Sequence, residues 1–106
     1  MGRFVIAAYR PKTGMHAQLL SAVARHWRVL RAENLISERP AHVMRAADGT
    51  IVEVFEWLSA EAIERAHGNA AVQALWAEFG AACEFVPVGS LAESQHMFSE
   101  FEAVAL

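Results

Sequence analysis

The chain has 106 residues, of which 55% are hydrophobic and 20% are charged, and its formal net charge is −3. This length predicts one domain over residues 1–106, and the negative charge argues against the broad basic surface that nucleic acid binding needs. No stretch approaches the ~20 apolar residues of a membrane span, and the single cysteine, Cys83, cannot form an internal disulfide, so we expect a cytoplasmic protein without a membrane partner.

The first half of the chain predicts a strand, a helix and a hairpin. Residues 4–9 are a short apolar run that ends before a proline, which favours a strand. Between residues 15 and 31, apolar side chains recur every three or four residues, as on one face of an amphipathic helix. Two extended segments, 41–47 and 50–58, are separated by Asp48-Gly49, which predicts an antiparallel hairpin with a type I′ turn.

The second half predicts a divided helix and a last strand. Ser59 is placed to cap the second helix, and Gly68 and Asn69 are placed to end one helical segment and to cap the next. We place the last strand at 96–104. The order strand, helix, strand, strand, helix, strand predicts an α+β, ferredoxin-like fold, a four-stranded antiparallel sheet with both helices on one face.

The same pattern predicts a homodimer. Residues 4–9 and 51–58 are apolar at both odd and even positions, whereas the helices can cover only one face of the sheet. An apolar sheet face of that size needs a partner, and the simplest one is a second copy packed sheet to sheet about a two-fold axis.

Two short motifs resemble a known family. The sequence EWLSAEA at 56–62, followed by AHGNA at 66–70, resembles the antibiotic biosynthesis monooxygenase-like domains of the dimeric α/β barrel superfamily. The resemblance implies a sheet-to-sheet dimer that closes an α/β barrel. It also implies a cofactor-independent monooxygenase that oxidises a small aromatic or quinol-like substrate between sheet and helices. One residue departs from the pattern, because Phe55 stands where such domains often carry an acid.

The resemblance and the residue types single out five side chains. His67 is the candidate catalytic base, although its imidazole is equally suited to the C-terminal end of a helix. Trp57, Phe55 and Tyr9 would form the aromatic walls of a substrate pocket, unless they are simply core residues. Glu53 falls at an apolar position of a central strand, so it is either a pocket acid or the partner of an arginine across the dimer.

Other functions have less support in the sequence. The five histidines contain no pair at ligand spacing, so we predict no metal site. Haem degraders of this fold use an asparagine on the first strand and a tryptophan and a histidine on the second helix. Those positions would align here with Ala7, Ala66 and Trp76. None of the three is the required residue type, which argues against haem degradation. The alternative to an enzyme is a non-catalytic homodimer that binds a small hydrophobic molecule or has a structural role.

Overall fold

The computed structural model describes all residues, 1–106, and shows an α+β structure with a five-stranded antiparallel sheet. Its strands are β1 (Arg3–Pro11), β2 (His42–Arg45), β3 (Ile51–Trp57), β4 (Cys83–Val86) and β5 (Glu102–Ala103). Its helices are α1 (His16–Ala32), α2 (Ala60–His67) and α3 (Ala70–Ala82), and two short 3-10 turns follow β4 at Val88–Ser90 and Ala92–Gln95. No helix combines the length and the apolar character that crossing a membrane requires.

The strand order in the sheet is β4-β1-β3-β2-β5, where the sequence predicts four strands and places the last at 96–104. The structure corrects both points. β4 starts at the residue after α3, with no turn between them, and pairs with β1 from Ala8↔Val86 to Pro11↔Cys83. Residues 96–104 contribute only the two residues of β5, at the opposite edge beside β2. The order β4-β1-β3-β2 is compatible with a ferredoxin-like fold.

The helix caps confirm the local predictions. The Ser59 hydroxyl accepts a hydrogen bond from the Ala62 amide at 3.1 Å at the start of α2. The Asn69 side chain accepts one from the Val72 amide at 3.0 Å at the start of α3, and Gly68 ends α2 between them. These contacts satisfy amide groups that a helix leaves free at its N-terminus.

The hairpin between β2 and β3 is confirmed, although its turn is not of type I′. Only Gly49 has a positive φ, of 93°, whereas a type I′ turn needs positive φ at both central residues. The Gly49 amide donates to the Ala46 carbonyl at 3.0 Å, and the Ala46 amide donates to the Thr50 carbonyl at 2.8 Å. This pattern is a type I turn followed by a glycine in the left-handed region.

All three helices pack on one face of the sheet, which we call the covered face. One buried cluster contains Tyr9 with residues of α1 and α3, and a second contains Phe55 and Trp57 with residues of all three helices. Because side chains alternate along a strand, the covered face receives every second residue of β1 and β3. On these two strands they are Val5, Ala7, Tyr9, Ile51, Glu53, Phe55 and Trp57.

The opposite face of the sheet, which we call the open face, is covered only in part. Leu91, from the segment after β4, joins Ala8 and Val52 in a buried cluster there. Beyond that cluster, Phe4 and Ile6 expose 63% and 54% of their surface. The sequence predicts that both faces of β1 are buried. On the open face of a single chain, Ala8 is buried, whereas Phe4 and Ile6 are exposed.

Candidate functional site

A cavity of about 300 Å³ lies between the covered face and the helices. Eight of its nine lining residues are hydrophobic, and the ninth is His26. The lining residues are Val5, Ala7, Tyr9, His26, Phe55, Trp57, Trp76, Phe79 and Phe85. A concave, mostly apolar space with few polar groups is the usual form of a small-molecule site.

A buried carboxylate lies beside this cavity. Glu53 is 1% exposed and sits at the middle of β3, paired with Ala7 on one side and Val43 on the other. Its Oε1 atom accepts a hydrogen bond from the Tyr9 hydroxyl at 2.7 Å and lies 2.7 Å from Nδ1 of His26. A buried carboxylate is costly unless such partners are present, so these three side chains form one polar unit inside an apolar core.

The hydrogen bonds fix the tautomer of His26. Nε1 of Trp76 lies 3.0 Å from Nε2 of His26, and an indole N–H can only donate. Nε2 therefore carries the lone pair, and Nδ1 carries the proton that is donated to Glu53. The ring is held further by edge or tilted contacts with Phe55 and Phe79, at centroid distances of 5.3 and 4.9 Å.

Tyr9 stays protonated in this setting. Burial and then the charge and hydrogen bond of Glu53 hold the pKa of Tyr9 well above its ordinary value of 10.0. The phenol is thus a fixed donor to Oε1, and the imidazole is the polar group that lines the cavity.

A carboxylate behind an imidazole is a chemically useful pair. The carboxylate orients the ring, sets the tautomer and stabilises the imidazolium that forms when the far nitrogen takes a proton. In this chain the far nitrogen is Nε2 of His26. When Trp76 releases Nε2, this atom can therefore accept a proton from a ligand in the cavity, and Glu53 stabilises the imidazolium from the Nδ1 side.

The structure brings together four of the five side chains that the sequence singles out. Tyr9, Phe55 and Trp57 line the cavity, and Glu53 contacts Tyr9 directly. His67 is exposed at the end of α2, does not line the cavity, and directs Nδ1 to the Ile63 carbonyl at 2.9 Å.

Of the two predicted roles of Glu53, a pocket acid or the partner of an arginine across a dimer, the second is not the one that the structure shows. Glu53 points to the covered face, where the helices separate it from any second copy packed on the open face. Its partners come from its own chain, and they are a tyrosine and a histidine. The glutamate of β3 that pairs with an arginine is Glu56, whose Oε1 lies 2.9 Å from Nε of Arg39.

The residue of the candidate site that the sequence does not single out is His26. Two features could have found it. His26 lies three residues after Val23 and four before Leu30, so it shares the buried stripe of α1. Glu53 lies at an inward position of β3, and two polar side chains at buried positions have to pair.

Cys83 and possible metal ligands are the remaining groups to consider. Cys83 is buried, and burial raises the pKa of its thiol to about 11, so it is a poor nucleophile near neutral pH. No group of three or more His, Cys, Asp and Glu side chains lies close enough together to hold a metal ion.

No protein-family model, no curated protein and no solved structure matches this chain.

Proposed function

We propose that the protein is a cofactor-independent, monooxygenase-like enzyme that acts on a small hydroxyaromatic or quinol-like substrate in the cavity. The observation that carries the proposal is the lone pair of Nε2 in His26 at the wall of an apolar cavity, with Glu53 hydrogen-bonded to the other nitrogen. The base in this proposal is His26 and not His67, because only His26 lines the cavity.

The proposed reaction begins with a proton transfer. The hydroxyl of a phenol-type substrate gives its proton to Nε2, and the imidazolium lies between the Glu53 carboxylate and the substrate anion. The electron-rich anion then reacts with dioxygen. Overall, a hydroxyarene with a free para C–H and one O₂ yield a quinone and one water, so one oxygen atom becomes the new carbonyl and the other leaves as water. The aromatic walls keep bulk water from the anion.

The proposal extends to the assembly. The strand order β4-β1-β3-β2, with the helices on one face, supports a ferredoxin-like domain, and the exposed Phe4 and Ile6 support a sheet-to-sheet homodimer of the α/β barrel type. We place this dimer in the cytoplasm, where the buried thiol of Cys83 stays reduced.

Oxygen uptake tests the proposed reaction. Metal-free protein is incubated with a panel of dihydroxynaphthalenes and related phenols, and oxygen consumption and quinone absorbance are followed. We expect His26→Gln to lower the rate by about 10²–10⁴-fold, the usual contribution of a positioned base. His96→Gln, a change at an exposed histidine outside the cavity, should keep the rate. No uptake across the panel, or equal rates in both variants, would contradict the proposal.

One observation favours a second candidate, a non-catalytic binding protein. The polar atoms around the cavity already pair with one another, through Glu53 with Tyr9 and His26 and through Trp76 with His26. A site of this kind can hold an apolar ligand without any reaction. Saturable binding of 1-naphthol, which has a free para C–H, without oxygen uptake from it or from the rest of the panel would support this candidate and exclude the enzyme.

A further inference from the structure

Trp76 occupies the one atom of the site that a base needs free. Its indole N–H donates to Nε2 of His26 at 3.0 Å, and this is the only hydrogen bond of that indole. The ring also packs against the two core clusters and makes edge-on aromatic contacts, including Trp57 at 6.5 Å and His67 at 5.3 Å between centroids. Trp76 is only half-buried and lines the cavity, so its single polar bond is open to competition from a ligand.

We infer that the pair of Nε1 in Trp76 and Nε2 in His26 is a binding site for a single hydroxyl group. A hydroxyl is at once a donor and an acceptor. Because the two nitrogens are in direct contact at 3.0 Å, the hydroxyl displaces this bond as the Trp76 ring moves aside. It then donates its hydrogen to Nε2 of His26 and accepts the indole N–H of Trp76. Both nitrogens then keep a partner, and neither is left unpaired in the apolar cavity.

This inference rests on the proposed function and deepens it, because it assigns Trp76 a role in the proton transfer. When the ligand O–H bond breaks, the proton goes to Nε2 and the electron pair stays on the ligand oxygen. The oxyanion then faces two N–H donors, the new Nε2–H of His26 and Nε1–H of Trp76. N–H donors aimed at the atom where negative charge develops stabilise the anion. Trp76 therefore donates to His26 when the cavity is empty and to the ligand oxyanion when a ligand is bound.

The geometry also defines the ligand class. An aryl methyl ether has an oxygen that accepts but cannot donate, so it would satisfy Trp76 and leave Nε2 of His26 without a donor. A quinone carbonyl has the same defect, which favours release of the product and restoration of the bond between Trp76 and His26. The site therefore selects hydroxyaromatic molecules over their ethers and over their quinones.

The test compares binding of 2-naphthol with binding of 2-methoxynaphthalene by calorimetry. The wild-type chain should prefer the naphthol. Trp76→Phe keeps an aromatic ring and removes one of the two N–H donors to the oxyanion. It should therefore lower the equilibrium constant for proton transfer from bound naphthol to Nε2, followed by naphtholate absorbance, by about tenfold to a hundredfold, the value of a hydrogen bond to a charged group. Trp57→Phe is the matched control, because Trp57 lines the same cavity and has no bond to His26; it should weaken both ligands alike and leave that constant unchanged. An equal change of the constant in the two variants, or no preference for the naphthol in the wild type, would overturn the inference.

A second measurement observes the Trp76 indole itself in the wild-type chain, so its result does not depend on whether Trp76→Phe folds. With ¹⁵N-labelled tryptophan, the three indole N–H resonances are assigned with Trp27→Phe and Trp57→Phe. Naphthol should shift the Trp76 resonance strongly, and an unchanged Trp76 resonance at saturating naphthol would contradict the inference. 2-Naphthol has no free para C–H and serves only as a binding probe. Naphthol selectivity with no oxygen uptake from any phenol of the panel that has a free para C–H would keep this site and reject the proposed oxidation, so the two failures are distinguishable.

Discussion

Strand β3 carries one glutamate on each face of the sheet, and the two side chains differ in burial and in partners. Glu53 points to the covered face, is 1% exposed and contacts Tyr9 and His26. Glu56 points to the open face and pairs with Arg39, whose side chain is 68% exposed. Three positions along one strand thus separate a fully buried carboxylate from one that is 15% exposed and pairs with an arginine at the surface. The buried polar unit lies on the covered face, and the open face leaves Phe4 and Ile6 exposed.

Replacement of the two glutamates by alanine should give the largest difference. Glu53→Ala leaves the Tyr9 hydroxyl and Nδ1–H of His26 without an acceptor inside the core, so we expect a loss of about 3 kcal/mol in the free energy of unfolding. Glu56→Ala removes one partly exposed ion pair and should cost less than about 1 kcal/mol. Urea denaturation of both variants measures the contrast, and equal losses would show that the buried unit does not differ from a surface pair.

The open face should respond next, through assembly. Ile6→Asp places a charge in the exposed apolar area, and a lost apolar contact of about 2 kcal/mol corresponds to roughly 30-fold weaker dimerisation. Met97→Asp is the control, since Met97 is an exposed apolar residue, 92% against 54% for Ile6, that lies in the segment after β4. Sedimentation at several concentrations measures the dissociation constant. A wild-type chain that is monomeric at micromolar concentration would remove assembly as the role of the open face.

Tyr9 should give the smallest effect at neutral pH. Tyr9→Phe deletes one hydrogen bond to Glu53 and should cost about 1 kcal/mol, as a neutral donor usually does. The contribution also has a defined pH dependence, because the pKa of Tyr9 is raised in the folded chain. The unfolded chain loses this proton near its ordinary value of 10.0 and the folded chain retains it, so the stabilisation is complete below that pH and is lost above it.

Absorbance measures this last effect cleanly, because the chain has one tyrosine. Tyrosinate absorbance should appear only as the protein unfolds at alkaline pH, and Tyr9→Phe should lose less stability than the wild type over that range. The variant keeps Cys83, whose thiol pKa is also raised, so the difference between the two chains isolates Tyr9. A phenol that ionises near pH 10 in the folded state would contradict its burial against Glu53.

Local contacts are the part of this fold that sequence predicts well. The caps at Ser59 and Asn69 and the hairpin at Gly49 depend on residues within a few positions of one another, so residue type alone indicates them. Strand β4 is not predicted from the sequence, and the reason is also local. Cys83 follows α3 directly, and four residues without a preceding turn have no periodicity that distinguishes a strand from a helix end.

The site is harder to predict because its members are distant in sequence. Sequence patterns place Tyr9, Phe55 and Glu53 on strands, and the register Tyr9↔Ile51 and Ala7↔Glu53 then brings them together. His26 reaches Glu53 only through the packing of α1 on the sheet, 27 residues away in the chain. The resemblance pointed instead to His67, whose position on α2 leaves it in solvent.

The most direct test of the central claim is a double-mutant cycle on kcat/KM for oxygen uptake with His26→Gln, Glu53→Gln and the combined variant. Residues that act as one unit give non-additive losses. We predict that the combined variant is no slower than His26→Gln alone, because Glu53 acts only through the imidazole. Additive losses, or full activity in His26→Gln, would contradict the assignment of His26 and Glu53 as the proton-accepting pair.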